Sequence, residues 1–347
     1  MTRIAILAEG AFERLHAKTA IGLLRYRGDD VVCVIDSARA GRDAFDCVGE
    51  GRGIPVVSSL AEARALVVDQ LAIGIAVAGG DVPPRFHPIL EEALRSGIDV
   101  VNGLHTRLAD DPTLAHAARA GGARIVDVRK PPDVLPVGGH RRHRSGATVV
   151  LTVGTDAAVG KMTVALELVR ELRARSVRAA FVATGQTGIM IAGEGIAVDA
   201  VVADFVAGAA EELVVAAASE ADYVIVEGQG SLTHPGFSGV TLGLLHGAAP
   251  DRLLLVHDAS RRTVKGFDEL PLRSLAEYVR LYEDAAGWSR PPHAARVPVI
   301  AIALNTYGLD DAAARAAVAA AERDTGLPAT DAVRYGARTL AGAVTAR

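Results

Sequence analysis

The chain has 347 residues, half of them hydrophobic but only 4% aromatic, with a formal net charge of −4. That length predicts two domains, with interiors of Ala, Val, Leu and Ile, and the composition is far from disorder. The mild acidity argues against a general nucleic-acid binder, and no apolar run reaches the ~18 residues that span a bilayer.

The opening RIAILA, residues 3 to 8, reads as a buried strand ending in Glu9-Gly10. Glu9 breaks the run too early for a signal peptide, so a cytoplasmic protein is expected. HAKTAIGLLRY has helical spacing, and DDVVCVIDS is a second strand ending in Asp36. GIPVVSSLAEARAL gives a strand and then a helix begun near Ser58 or Ser59. LAIGIAVAGG, a helix over HPILEEALRSG and the strand IDVVNGLH continue the alternation. Strand and helix in turn mean a mostly parallel sheet, so residues 1–135 form a Rossmann-like domain. It lacks a GxGxxG after its first strand, and no dinucleotide site is expected there. Cys33 and Cys47 suit a reducing compartment and make neither a metal cluster nor a disulfide framework.

RKPPDVLPVGGHRRHRSGA, residues 129–147, is aperiodic and rich in Pro, Gly, Arg and His. Its 136–146 portion reads as a solvated basic linker; His140 and His143 lack the further ligands a metal site needs. The second domain, 147–347, begins with the strand TVVLTVG and continues with VRAAFVATG, ADYVIVEGQG, DRLLLVHDAS and RVPVIAIALNT. Helices fall between them. The fold class is therefore α/β, with a doubly wound parallel sheet of P-loop NTPase type following the Rossmann-like domain. Ligands of such sheets sit outside the carboxyl ends of the strands.

The polar residues of the second domain collect at those ends. Gly154 to Lys161 is G-x5-G-K, one residue longer than the common G-x4-G-K-[ST]. Gly154, Thr155, Asp156, Val159, Gly160, Lys161, Met162 and Thr163 are the candidate cofactor contacts, because backbone N–H groups and a helix N-terminus cradle anions. Of 37 basic residues only Lys18, Lys130, Lys161 and Lys265 are lysine, which suggests a slim point charge at Lys161. Met162 replaces the hydroxyl that ordinarily ligates Mg²⁺, and a thioether is a poor ligand for that ion. Phosphate binding is expected; magnesium-dependent cleavage is not assured.

Glu227 ends the strand YVIVE and is read as a general base, a metal ligand or a helix cap; Gln229 and His234 follow it. Thr184 to Gly188 joins hydroxyl, amide and glycine, with Gln186 and Thr187 as candidate substrate contacts. Asp199 and Asp204 either hold a cation or cap a helix. His257-Asp258 end a strand, and Arg261, Arg262 and Lys265 form a cationic cluster suited to a dicarboxylate. Asn305, at a strand end, could read an adenine edge. Both cysteines lie in the first domain and no G-x-S-x-G elbow occurs, so any acyl transfer should be direct.

GTDAAVGKMT, FVATGQTGIMIAG, VDAVVADFVAGAAE, VEGQGSLTHPGFSGVTLGLLHGAAPD and PATDAVRYGA together resemble the DgcN-type family. Its members carry a P-loop domain long listed without function, behind a Rossmann-like domain, and are described as D-glutamate (and D-aspartate) N-acetyltransferases. The resemblance implies acetyl-CoA as donor and an acidic D-amino acid as acceptor. Under it the glycine loop, with Lys161, cradles coenzyme A phosphates and Arg261 and Arg262 meet the acceptor's carboxylates. Glu227 or His234 takes the amine proton, and Gln186, Thr187 and Gln229 contact substrate. A homo-oligomer, dimer or higher, is expected, with neither nucleic acid nor membrane as partner. The loop is also similar to that of dethiobiotin synthetase, which uses ATP and Mg²⁺. That likeness implies Lys161 on phosphate, Glu227 on the metal and Asn305 on adenine; Asp204 is a candidate ligand beside Glu227 only if Mg²⁺ is used. GIPVVSSLAEA with LAIGIAVAGG faintly resembles CoA-binding Rossmann domains. Three readings stand: an acetyltransferase, an ATP-dependent ligase or carboxylase, and a non-catalytic nucleotide sensor.

Overall fold

Continuous runs of Ile, Val, Leu and Ala become strands buried on both faces, as parallel sheets require. The structure is a computed structural model, and it describes residues 2–76 and 80–346. The first sheet contains β1 (Ile4–Leu7), β2 (Val31–Ile35), β3 (Val56–Val57), β4 (Gln70–Ile73), β5 (Asp99–Asn102) and β6 (Ile125–Asp127). All its ladders are parallel, in the order β3-β2-β1-β4-β5-β6. This is the doubly wound Rossmann order. The expected strand over LAIGIAVAGG shortens to β4, and residues 77–79 lie outside the described residues. Asp36, just past β2, is buried, and its carboxylate accepts the N–H groups of Phe12 and Ala38, each at 2.9 Å. Its oxygens thus hold the chain's own backbone.

The second sheet contains β7 (Thr148–Gly154), β8 (Ala179–Val182), β9 (Tyr223–Val226), β10 (Arg252–Asp258), β13 (Val299–Asn305) and β14 (Ala329–Thr330); β11 (Thr263–Val264) and β12 (Phe267–Pro271) pair as a separate antiparallel ribbon. The order is β14-β13-β10-β7-β9-β8, all parallel. Side chains alternate along β7: Val149, Leu151 and Val153 join one core cluster, while Val150 joins another on the opposite face. The helix Lys161–Ala174 shares the cluster of Val150, and the helices Ala203–Glu220, Ser238–Ala248 and Leu275–Gly287 share the other.

The chain divides into two compact units, Met1–Pro131 with Gln186–Ala197, and Pro132–Gly185 with Val198–Arg347. The segment 186–197 leaves the order of the sequence. Its helix, Gln186–Ala192, buries Met190 in the core of the first unit. Thr187 Oγ1 lies 2.9 Å from Thr19 Oγ1, and the guanidinium of Arg129 donates to Gln186 Oε1 at 3.1 Å. A Cβ on Gly103 would lie 3.1 Å from both Gln186 Cγ and Met190 Cε, so glycine lets this helix approach.

The basic connection belongs to the second unit and is tied down. The buried carboxylate of Glu211 accepts from the N–H groups of Gly139 and Arg141 and from Arg141 Nε. Arg144 caps carbonyls of Ala218 and Ala221 at 3.0 Å. A Cβ on Gly208 would fall 1.8 Å from Pro136 O, so the segment lies directly on the helix Ala203–Glu220.

Candidate functional site

β7 ends at Gly154 and the helix Lys161–Ala174 begins seven residues later, with Gly160 at φ 113° as its N-cap and no capping side chain. Ala158 also takes a left-handed φ of 56°. An uncapped helix start preceded by such a turn presents backbone N–H groups to an anion. A Cβ on Gly154 would sit 2.9 Å from Lys161 Nζ, so only glycine leaves the lysine its place.

Lys161 is 6% exposed and joins two glycine loops. Its Nζ donates to Asp156 O at 2.9 Å and to Gly230 O at 2.8 Å. A Cβ on Gly228 would lie 3.0 Å from its Cδ and 1.7 Å from Thr152 O. Thr152, beneath, receives the Gly228 N–H at 2.9 Å and donates to Val226 O.

Asp156 and Arg261, read as a cofactor contact and a substrate contact, are committed to each other. Asp156 is fully buried, and its Oδ2 accepts from the Arg261 guanidinium at 2.8 Å and from Lys265 N–H at 2.7 Å. Its Oδ1 takes the Ala157 N–H, and Arg261 also donates to Ala157 O. The pair therefore clamps the glycine loop to the chain between β10 and β11. Arg262 is exposed and, among the described residues, makes only a long 3.4 Å bond to Ala259 O. Asp156→Ala leaves the partly buried Arg261 with the longer 3.6 Å ion pair to Asp258 and frees the Lys265 N–H, and should cost about 2–3 kcal/mol, with Tm falling by roughly 4–10 °C. A calorimetric Tm equal to that of the parent would show that the clamp contributes nothing.

Glu227 is 5% exposed at the end of β9. Its Oε2 accepts the N–H groups of Thr184 and Gly185 at 3.1 and 3.2 Å, both just past β8. Thr184 Oγ1 donates to Glu227 O and accepts from Gln229 Nε2 at 3.1 Å. A Cβ on Gly185 would lie 2.6 Å from Gln229 Nε2 and 3.2 Å from Glu227 Oε1. Thr184, Gly185, Glu227 and Gln229 thus form one polar corner. His234 is buried, stacked on Phe237 with centroids 4.3 Å apart and edge-on to Phe267. Its Nδ1 accepts the Gly236 N–H at 3.1 Å, so a neutral ring carries its proton on Nε2 and is a donor there.

Asn305 closes the site at the end of β13: its Cβ lies 4.0 Å from a Cβ built on Gly160, and its Oδ1 accepts the Tyr307 N–H. Val159 is a core side chain, so it can offer a ligand only backbone. Met162 is 9% exposed, and Thr163, half-buried, stands in the first turn of the helix. Asp204 is exposed in the first turn of Ala203–Glu220. Among the described residues no group of three or more His, Cys, Asp or Glu could hold a metal ion. With a thioether after the lysine, the residues present do not fit a magnesium site. Gln186 and Thr187 belong to the first unit, where they contact Arg129 and Thr19.

Three supports were not legible as site residues. Tyr282, fully buried, donates to Gly154 O at 2.7 Å and accepts the Leu232 N–H; burial pushes its hydroxyl up to about 12. Tyr278 Oη lies 2.9 Å from Thr233 Oγ1. Their signal is a pair of tyrosines four apart, in a chain with six. The third is His257, noted only as a strand end. Its Nδ1 lies 2.9 Å from Thr155 Oγ1. Burial pushes its pKa down to about 4; Asp258 opposes this, and the charges of Arg262 and Arg261 add to it. The ring beside the loop is thus neutral near pH 7.

A strand, an anion-binding glycine loop with its lysine, and a parallel sheet behind a Rossmann-like unit define a two-domain P-loop protein of the α/β class. The chain belongs to the DUF1611 family: its "Domain of unknown function (DUF1611_C) P-loop domain" matches residues 136–341, and its Rossmann-like N-terminal domain (DUF1611_N) matches 37–131. A protein of Tritonibacter scottomollicae named D-glutamate N-acetyltransferase is 37% identical over 338 residues, 96% of each chain. One of the same name from a Pseudoalteromonas species is 35% identical over 282 residues, 81% of this chain and 83% of that one. The crystal structure of a DUF1611 family protein from Anabaena variabilis ATCC 29413 has a TM-score of 0.91 and 42% identity, covering 99% of both chains.

Proposed function

We propose that this protein is an N-acetyltransferase that moves the acetyl group of acetyl-CoA directly to the amine of D-glutamate. The observation that carries the reading is the likeness, along nearly the whole chain, to relatives named for that activity. The donor side is supported by the loop. Its uncapped helix start, Lys161 and the glycine cradle suit phosphate oxygens, while Met162 in place of a hydroxyl suits holding phosphate without cleaving it. Gly154, Thr155, Gly160, Lys161 and Thr163 would hold coenzyme A phosphates, and Asn305 would meet adenine. Acetyl-CoA supplies the acyl group as an activated thioester.

The chain's own residues do the rest. Glu227 takes the proton that the acceptor ammonium must lose before its nitrogen can attack. Backbone N–H groups of the glycine loops hold the carbonyl oxygen as it becomes an oxyanion. As the N–C bond forms and the C–S bond breaks, the second proton of the attacking nitrogen passes to the leaving sulfur, which His234 hydrogen-bonds through Nε2, so the products are the amide and a free thiol. Arg262 pairs with an acceptor carboxylate, since Arg261 is engaged by Asp156. The free thiols of Cys33 and Cys47 support a cytoplasmic setting.

The test is incubation with D-glutamate and either acetyl-CoA or ATP with Mg²⁺. Release of free thiol in step with N-acetylated product is the expected result. ADP release without thiol would overturn the proposal in favour of a ligase or carboxylase.

A further inference from the structure

We propose that the second unit carries a separate anion site, at the sheet edge opposite the glycine loop, that takes a phosphate-bearing small molecule. A cavity of about 520 Å³ lies among the segments that lead into β7, β10 and β13. All three strands run parallel, and the glycine loop follows β7. Seven residues of strand therefore separate the two places by about 20 Å. The volume falls in the range of small-ligand pockets.

The lining is basic and incompletely balanced. Arg142, Arg290, His140 and His143 face the cavity, and its one lining acid is Asp251. Asp251 is already engaged: its Oδ2 accepts the Val149 N–H at 2.8 Å and lies 3.2 Å from His143 Nε2. Arg141 and Arg144 also line the cavity but pair with Glu211, Glu212 and Asp222. Arg142 makes no hydrogen bond or ion pair among the described residues. Arg290 spends one nitrogen on the carbonyls of Ala249 and Pro250, which leaves the rest of its planar fork. Burial lowers the pKa of Arg290; Asp251 opposes this and the charge of Arg142 adds to it. Two guanidinium groups thus share one cavity without a carboxylate of their own. His140 holds a left-handed φ of 53°, a conformation that costs a non-glycine residue and gathers at ligand sites. Guanidinium groups arranged in this way match phosphate oxygens in bidentate geometry.

The test uses inorganic pyrophosphate and titration calorimetry on the full chain carrying Lys161→Ala, which silences the glycine loop. One equivalent of pyrophosphate should still bind. Adding Arg142→Glu, a change at an exposed side chain, should weaken that binding by about tenfold or more. Loss of all binding on Lys161→Ala alone, or unchanged affinity on Arg142→Glu, would overturn the site. Citrate binding as tightly as pyrophosphate would overturn its assignment to phosphate.

Discussion

Glu227→Gln is expected to lower kcat for acetyl transfer by about 10²–10⁴-fold, the range contributed by a positioned general base. KM for both substrates should stay within about threefold, because the change alters proton transfer rather than binding. The substitution keeps the size of the side chain, and one carboxylate oxygen, Oε2, takes both the Thr184 and the Gly185 N–H groups. A glutamine can offer its carbonyl oxygen to the same two donors. What changes is the other oxygen, on the side of Gly185 and Gln229, which becomes an NH₂ that cannot accept a proton. The measurement is steady-state kinetics with a Tm on the same sample. Near-normal turnover at saturating D-glutamate, with Tm retained, would remove Glu227 as the base and leave it as a brace for the β8–β9 corner.

The alternation of strand and helix, both sheets and the glycine loop are legible in the sequence because each rests on local pattern. TVVLTVG sets Val149, Leu151 and Val153 on one face and Val150 on the other and ends at Gly154, which is what a strand with helices on either side needs. What escapes local pattern is pairing across long stretches of chain. Arg261 reads as a substrate guanidinium until the fold brings Asp156, 105 residues away, against it. Gln186 and Thr187 follow a strand of the second unit, where ligands are expected. A buried Met190 and the Thr187–Thr19 contact place their helix in the first unit instead. The run of Arg and His before β7 looks solvated because its counter-charges, Glu211 and Asp222, lie some seventy residues on. Tyr282 reads as a core aromatic, which it is, while its hydroxyl braces the first carbonyl of the loop. In each case the residue type is informative, and the partner is fixed only by tertiary packing.

Lys161→Ala should raise KM for acetyl-CoA by about 10- to 100-fold, the equivalent of one lost charge-assisted hydrogen bond. KM for D-glutamate should move less than about threefold. The asymmetry follows from position: Lys161 Nζ bridges Asp156 O in the glycine loop and Gly230 O in the loop after β9. An incoming phosphate offers that ammonium a full negative charge where Asp156 O and Gly230 O offer neutral carbonyls, so charge favours the donor. Lys161→Arg should fail nearly as badly. A side chain as small as one Cβ at Gly154 would come within 2.9 Å of the Nζ, and one at Gly228 within 3.0 Å of the Cδ. The passage therefore admits a narrow ammonium stem and excludes a planar fork. That constraint gives a physical reason for lysine here in a chain that otherwise writes its positive charge as arginine. Initial rates with each substrate varied against a saturating partner make the measurement. A rise confined to KM for D-glutamate, or full rescue by arginine, would show that the loop does not serve the coenzyme A phosphates.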